Sequence, residues 1–445
     1  MAVDQEANEV RNVGFAVALG VWLKIGFLSF GGPAAQIALM HKVLVEERGW
    51  LNERQYLNAL NFCMLLPGPE AMQLATYAGW RMHGVAGGLA AGLSFVLPGA
   101  FLMLALASAY AYFGQLPVME TLFLGIKAAV LAIVLQALLK VSRKALLRPE
   151  HWAIAGAAFL ALFFFNVPFP LVVIAAGLAG VLFSVAAPAE KSADESGSEE
   201  VEVSQARRPS FRKTMTVIAI WLSVWLGPIA LLWLFLGSDH VLVQISFFFS
   251  KLAVVTFGGA YAVLAYMAQE VVQGYGWLSA HEMVDGLGLA ETTLGPLILV
   301  TEFVGFLAAF RDGGGASFGM GLAGAVVTLW ATFAPCFLWI FAGAPYVEHL
   351  QHAKRLRSAL SGVTAAVVGV ILNLSIWFAL KVLFHDFWRV EAGPVSFELP
   401  QIASIDWPAI GLSVVAAVAL FRLKTGVMLT LVICAAASYA LAAFL

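Results

Sequence analysis

The residues best suited to act on a ligand gather at four short interruptions in otherwise apolar runs. Phe27-Leu28-Ser29-Phe30-Gly31-Gly32-Pro33 is the first and Leu66-Pro67-Gly68-Pro69 the second. Val254-Val255-Thr256-Phe257-Gly258-Gly259 and Thr292-Thr293-Leu294-Gly295-Pro296 are the third and fourth. Proline removes a backbone donor and blocks a regular helix, while glycine admits unusual backbone angles. A half-helix starting at such a point aims free N–H groups and its positive dipole end at the gap, which suits an anion. One interruption alone reads better as a kink with close helix packing. Four at matching places favour a substrate site lined by Ser29, Gly31, Gly32, Pro33, Pro67, Gly68, Pro69, Thr256, Gly258, Gly259, Gly295 and Pro296.

Charged and polar residues stand beside these gaps. Lys24 and Lys251 each precede a gap by five residues, counted to Ser29 and Thr256. An ionisable group within an apolar span is costly, so the pair is expected to face an anion; snorkelling to an interface is the plainer reading. Glu70, Glu291 and Glu302 are acids in apolar surroundings, and a carboxyl there can couple proton movement to transport or serve as a bonded structural acid. Gln73, Thr76, Thr292 and Thr293 carry donors for an oxyanion, though threonine in a helix also bonds its own backbone.

Other candidates carry less. His349 and His352 lie in a basic loop, with His281 and His83 elsewhere, and no third ligand is spaced to complete a metal site. Cys63, Cys336 and Cys434 all sit in apolar stretches and read as buried small residues. No Walker A motif, dinucleotide fingerprint or serine nucleophile elbow occurs, so neither ATP-driven transport by this chain alone nor enzymatic activity is expected. No cofactor and no nucleic-acid partner is expected.

The elements that must position these residues are membrane helices. The chain is 61% hydrophobic and 12% charged, where soluble domains average about 25% charged. Runs such as Ala153–Phe165, Leu171–Ala187 and Val427–Leu445 carry no ionisable side chain. No short basic region precedes the first apolar run, so that run is expected to be a mature span. The pattern predicts an all-α polytopic integral membrane protein of about thirteen spans. Six are expected in a first repeat over 1–187, followed by a charged linker over 188–215 and an extra span over 216–240. Six more are expected in a second repeat over 241–445.

The two halves are copies. Adding 227 takes Lys24 to Lys251, Ser29 to Thr256, Gly49-Trp50-Leu51 to Gly276-Trp277-Leu278 and Gly68-Pro69 to Gly295-Pro296. Adding 237 takes Pro98 to Pro335 and Gly125 to Gly362. The acids are not copied: Glu70 falls on Leu297 and Glu291 on Met64. Lys140, Arg143, Lys144 and Arg148, then Arg207, Arg208, Arg212 and Lys213, then Lys354, Arg355 and Arg357, and finally Arg422 and Lys424 fall on one side if the N-terminus is cytoplasmic. The loop with Lys42, Arg48 and Arg54 and the loop with Lys381 and Arg389 break the pattern. An even span count per repeat plus one extra span inverts the second copy, a common plan among secondary transporters.

At these same positions the chain resembles the chromate ion transporter family in its long, duplicated form. The matching stretches run from Lys24 to Pro33, Glu47 to Leu51, Asn61 to Glu70 and Gln73 to Thr76, then Phe257 to Tyr261, Gly276 to Leu278 and Gly288 to Pro296. The second copy departs at Ala260 for Pro33 and Leu294 for Pro67. The resemblance implies export of chromate from the cytoplasm across the inner membrane, driven by the electrochemical gradient. A dianion leaving a cell that is negative inside gains about 2.3 kcal/mol per charge per 100 mV, about 4.6 in all. Sulfate has the same shape and charge and is the expected competitor. An oxyanion channel or a sulfate carrier of the same architecture, and a membrane scaffold for an enzyme elsewhere, are the competing readings; a homodimer in the bilayer is a further expectation.

Overall fold

The structure is a computed structural model that describes residues 13–114, 116–186, 211–257, 260–347, 354–393 and 395–443. Gly258, Gly259, His349, His352 and most of the expected linker lie outside the described residues.

The first half forms α1 (Phe15–Leu28), α2 (Gly32–His41), α3 (Glu53–Cys63), α4 (Glu70–Phe113), α5 (Pro117–Ala145), α6 (Pro149–Phe165) and α7 (Phe169–Ala186). The extra helix is α8 (Phe211–Leu236). The second half forms α9 (Val241–Val255), α10 (Ala260–Gln269), α11 (Ala280–Thr292), α12 (Val300–Phe310), α13 (Phe318–Gly343) and α14 (Lys354–Leu383). A hairpin of β1 (Phe387–Ala392) and β2 (Val395–Pro400), with Phe387 opposite Pro400, precedes α15 (Trp407–Ala417) and α16 (Val427–Ala442). The chain is an all-α polytopic membrane protein, and several helices are long and apolar enough to cross a bilayer, among them α5, α8, α13 and most of α14.

The copies match down to backbone detail. A π turn follows α2 at Lys42–Glu47 and another follows α10 at Glu270–Gly274. Trp50 N–H donates to Leu44 O at 2.8 Å, and Trp277 N–H to Val271 O at 3.0 Å, one offset of 227 apart. Capping boxes open the next helices, Asn52 with Gln55 for α3 and Ser279 with Glu282 for α11. Each box satisfies two backbone donors that a helix start leaves free. Near the end of α2, the Glu53 carboxylate bonds His41 at 2.7 Å, with Glu46 behind it, and holds the imidazole above its ordinary value.

The interrupted segments differ from the expected straight crossings in one respect: each turns back on itself. Trp22, midway along α1, packs on Trp50 beyond the end of α2, ring centroids 6.0 Å apart. The start of α1 meets the end of the first arm of α4, where His83 Nε2 lies 2.8 Å from Val13 O. Both α1–α2 and α3 with the first arm of α4 therefore begin and end near one face, called here the near face. The second half repeats this at the far face. Phe248 of α9 packs on Tyr275 and Trp277 beyond α10, at 5.3 and 5.7 Å. Glu282 at the start of α11 pairs with Arg311 just past α12, at 2.7 Å. Composition is blind to this, because an apolar run with a glycine break has the same content whether it continues or reverses.

Long helices cross between the faces. α4 reverses at His83 and Gly84, the latter at φ 63°, so Gly79 of its first arm lies against Gly87 and Ala91 of its second. The second arm reaches the far face, where Tyr112 packs on Phe310 at 5.3 Å. α13 runs back and ends beside α8, with Thr214 Oγ1 2.9 Å from the Tyr346 hydroxyl. The halves also exchange helices. α14 packs on α6 and α7 of the first half, its Gly362 against Ala176 and Gly180; α5 packs on α15 and α16 of the second, its Gly125 against Cys434. A side chain at either glycine would collide with backbone, so these contacts need glycine.

Turned-back segments make a labelling prediction. Cysteine at Arg48 and at Leu147 should react with a membrane-impermeant thiol reagent from the same face, and cysteine at Ser238 from the opposite one. The three native cysteines are buried and should stay silent. Straight crossings would group position 48 with position 238 instead.

Candidate substrate site

Every interruption exposes backbone. A helix end leaves up to four N–H or four C=O groups without intrahelical partners, and in hydrocarbon each orphan costs several kcal/mol. The structure answers this by joining the interruptions across the two halves. Gly68 N–H donates to Thr256 O at 2.8 Å, and Gly295 N–H donates to Ser29 O at 2.9 Å. These bonds are copies of each other: Gly68 corresponds to Gly295, and Ser29 to Thr256, both by 227. The first interruption is thus tied to the fourth, and the second to the third.

Glycine is required at both donors. Gly68 has φ 122° and Gly295 φ 77°, regions that L side chains avoid. A Cβ on Gly68 would lie 2.7 Å from Gln73 Nε2 and 2.9 Å from Cys336 Sγ, and one on Gly295 would lie 3.2 Å from Phe95 O. Gly99 of α4 abuts Leu294 beside Gly295, as Cys336 of α13 abuts Gly68. Gly99 and Cys336 are 237 apart, so the second arm of α4 and α13 each wall one pair of interruptions.

The polar side chains near the gaps brace the backbone. Ser29 Oγ donates to Ile25 O at 2.5 Å and Thr256 Oγ1 to Leu252 O at 2.6 Å. Thr76 donates to Met72 O, Thr292 to Leu289 O and Thr293 to Ala290 O, at 2.9, 2.7 and 3.0 Å. Gln73 Nε2 donates to Pro67 O at 2.7 Å. These hydroxyl donors and one N–H of the Gln73 amide are committed to local carbonyls, which leaves backbone N–H groups as the main donors at the gaps. Such groups begin α2, after Gly31 at φ 85° and Gly32 at φ 76°, with Pro33 in its first turn. They also begin α4, after Pro69, and the turn after Pro296 that leads into α12.

Lys24 and Lys251 both project from exposed faces, of α1 and α9. Lys251 Nζ stands 5.5 Å from the centre of the Tyr266 ring, across the fold-back. Glu70 is half-buried in the first turn of α4, and Glu291 is buried in the last turn of α11. Glu302 is 1% exposed, and its Oε2 has no hydrogen-bond partner. His83 marks the reversal of α4 and His281 lines a far-face cavity. Among the described residues no three His, Cys, Asp or Glu side chains converge as a metal site.

Three functional candidates escape a sequence reading. Gln36 is fully buried and its Nε2 bridges two halves, donating to Gly295 O at 2.6 Å and to Ser29 O at 3.3 Å. Lys127 and Asp285 form a cross-half ion pair at 3.0 Å, taken up below. The only signal each leaves in sequence is a polar residue inside an apolar run, and the repeat does not duplicate them: Gln36 falls on Val263, Asp285 answers to Asn58 and Lys127 to Thr364.

The glycine geometry predicts that Gly68→Ala and Gly295→Ala each lower stability by about 1–3 kcal/mol through backbone strain. Gly156→Ala, whose Cβ would meet nothing within 4 Å, should leave stability unchanged or raise it. Thermal unfolding of the detergent-solubilised variants checks both.

Comparison with known proteins agrees with the duplicated architecture. The chromate transporter family profile matches the chain twice, over residues 17–181 and 243–439. The chain is 30% identical to a probable chromate transport protein of Synechococcus elongatus, over 82% of this chain and 84% of that one. It is 31% identical to a chromate transport protein of Cupriavidus metallidurans, covering 81% of each, and 32% identical to one of Pseudomonas aeruginosa, covering 79% and 77%. No solved structure matches the chain. With both halves matched and relatives covered over most of their length, the chain belongs to the chromate transporter family.

Proposed function

We propose that this protein is a secondary carrier that exports chromate from the cytoplasm across the inner membrane, driven by the membrane's electrochemical gradient, with sulfate as a competing oxyanion. The observation that carries the reading is the reciprocal pair of cross-half hydrogen bonds at Gly68 and Gly295. It holds half-helix N-termini at interruptions inside the apolar bundle, where their dipoles and free N–H groups favour an anion. The names of the relatives supply the choice of chromate.

In a bilayer, this proposal gives nine crossings and four re-entrant hairpins. The crossings are the second arm of α4, then α5 to α8, then α13 to α16; two hairpins enter from each face. The halves are then inverted copies, each with four crossings, joined by α8. Turning α2 back moves Lys42, Arg48 and Arg54 to the near face, beside Arg143, Lys144, Arg148, Arg212, Lys213, Arg422 and Lys424. One exception to the positive-inside pattern thereby disappears, and the near face is cytoplasmic, with the N-terminus on it. On the far face Arg311 pairs with Glu282 and Lys381 with Glu398, which offsets their charge.

Chromate uptake into inverted membrane vesicles checks the reading. Energised vesicles should concentrate chromate, excess sulfate should compete, and a Lys24→Ala, Lys251→Ala double variant should lose about tenfold or more, 1.4 kcal/mol at least. Uptake that equilibrates and never concentrates would mean an oxyanion channel instead. No uptake by the native chain would withdraw chromate as the substrate.

A further inference from the structure

An enclosed triad joins the two halves outside the interruptions, in the far-face portions of three helices. Lys127 of α5 lies 3.0 Å from Asp285 Oδ1 of α11, and Tyr110 of α4 donates to Asp285 Oδ2 at 2.8 Å. The two charged side chains are 15% and 8% exposed. Phe123 and Phe303 pack on the Tyr110 ring at 5.2 and 5.1 Å and dry its surroundings. The pair joins the halves, and the repeat does not demand it, since the corresponding residues are Asn58 and Thr364.

Lys127 also lines a cavity of about 290 Å³ towards the far face, with Glu120, His281, Lys381, His385 and Asp406. Lys381 is itself paired with Glu398. Counting those partners, four carboxylates (Glu120, Asp285, Glu398 and Asp406) face two ammonium groups (Lys127 and Lys381). With two imidazoles added, that composition collects protons in preference to anions. Asp285 does not itself line the cavity and reaches it through its partner Lys127; Glu70, Glu291 and Glu302 do not line it, and the ion pairs of Lys127 and Lys381 are with Asp285 and Glu398.

We propose that Asp285 is the carboxylate through which a proton couples to the anion, with this cavity as its route to the far face and Lys127 as the counter-charge it gives up. The inference rests on the carrier reading above. The step is a single proton addition. A hydronium ion that reaches the site with the anion from the near side gives its proton to Asp285 Oδ1. The donor O–H bond breaks as the acid O–H forms, water leaves, Lys127 stays an ammonium, and the proton later departs through the cavity. The neutral acid no longer forms an ion pair with Lys127, so the ionic tie between α5 of one half and α11 of the other is lost while their packing at Gly288 and Ile126 remains. The positive charge left behind lies near Asp285, eight residues and about 12 Å along α11 from Thr293 at the fourth interruption. That charge favours an anion there, so protonation and anion occupancy promote each other. A dianion leaving with one proton still carries one negative charge outward, and the membrane potential still drives it.

The elements packed against α11 bring further titratable groups. α5 carries Glu120, α12 Glu302, α14 Lys381 and α16 Cys434; Glu270 lies in the π turn after α10. On α11 itself, Glu282 is held by Arg311 and His281 faces the cavity. Asp285 alone of these acids pairs with a lysine of the other half that lines the cavity.

Calorimetry of chromate binding to the purified full chain separates the outcomes, run in two buffers of different ionisation enthalpy at a pH where chromate is the dianion. The native chain should take up about one proton per anion bound. Asp285→Asn should bind chromate with no proton uptake, the retained binding showing that it folds, and should melt below the native chain because Lys127 is left unpaired. A His281→Gln, His385→Gln double variant should keep the uptake. Native binding without proton uptake overturns the proposal, as does uptake that survives in Asp285→Asn or vanishes in the histidine variant. No chromate binding by the native chain overturns the carrier reading, and this inference with it.

Discussion

Two hydrogen bonds hold the centre of this protein: Gly68 N–H to Thr256 O and Gly295 N–H to Ser29 O. They exist because a helix broken inside an apolar bundle has orphan donors and acceptors that water does not reach. Each half supplies the donor for one bond and the acceptor for the other, so neither half satisfies its own interruptions alone. The positive φ of both glycines aims their N–H groups across the interface, and Gln36 adds its amide to both carbonyls of one pair. What a soluble fold leaves to solvent is here supplied by the opposite copy.

The exchange of long helices follows the same logic at larger scale. α14 lies on α6 and α7 of the first half, and α5 on α15 and α16 of the second. Close approach at Gly125, Gly180 and Gly362 puts backbone against backbone. Without a hydrophobic driving force between helices in lipid, such packing is what holds them together. The two copies therefore form one body.

Architecture is duplicated more faithfully than chemistry. π turns, capping boxes, glycine angles and backbone bonds recur at fixed offsets, whereas Gln36, Gln73, Lys127 and Asp285 correspond to Val263, Val300, Thr364 and Asn58. Backbone satisfaction is needed equally in both halves, so it recurs. A buried polar or charged side chain in an apolar bundle is costly, so one that only one half uses is not kept in the other.

The amino-acid sequence by itself determined the apolar spans, the four interruptions, the offsets that relate the halves and the family, because each is written in local composition or in residue identity at fixed spacing. The bracing roles of Ser29, Thr76 and Thr292 were within reach of sequence too, since threonine and serine in helices bond carbonyls three or four residues back. Whether an interrupted run crosses or turns back was decided by tertiary structure alone: the same glycines serve both paths, and only the partner at Trp50, Trp277 or Arg311 tells which was taken. Tertiary structure also set which helices exchange between halves and brought Lys127 to Asp285, positions 158 residues apart in the chain (285 minus 127). Periodicity is silent on such pairs, because helices that are apolar all round show no face from which a neighbour could be read.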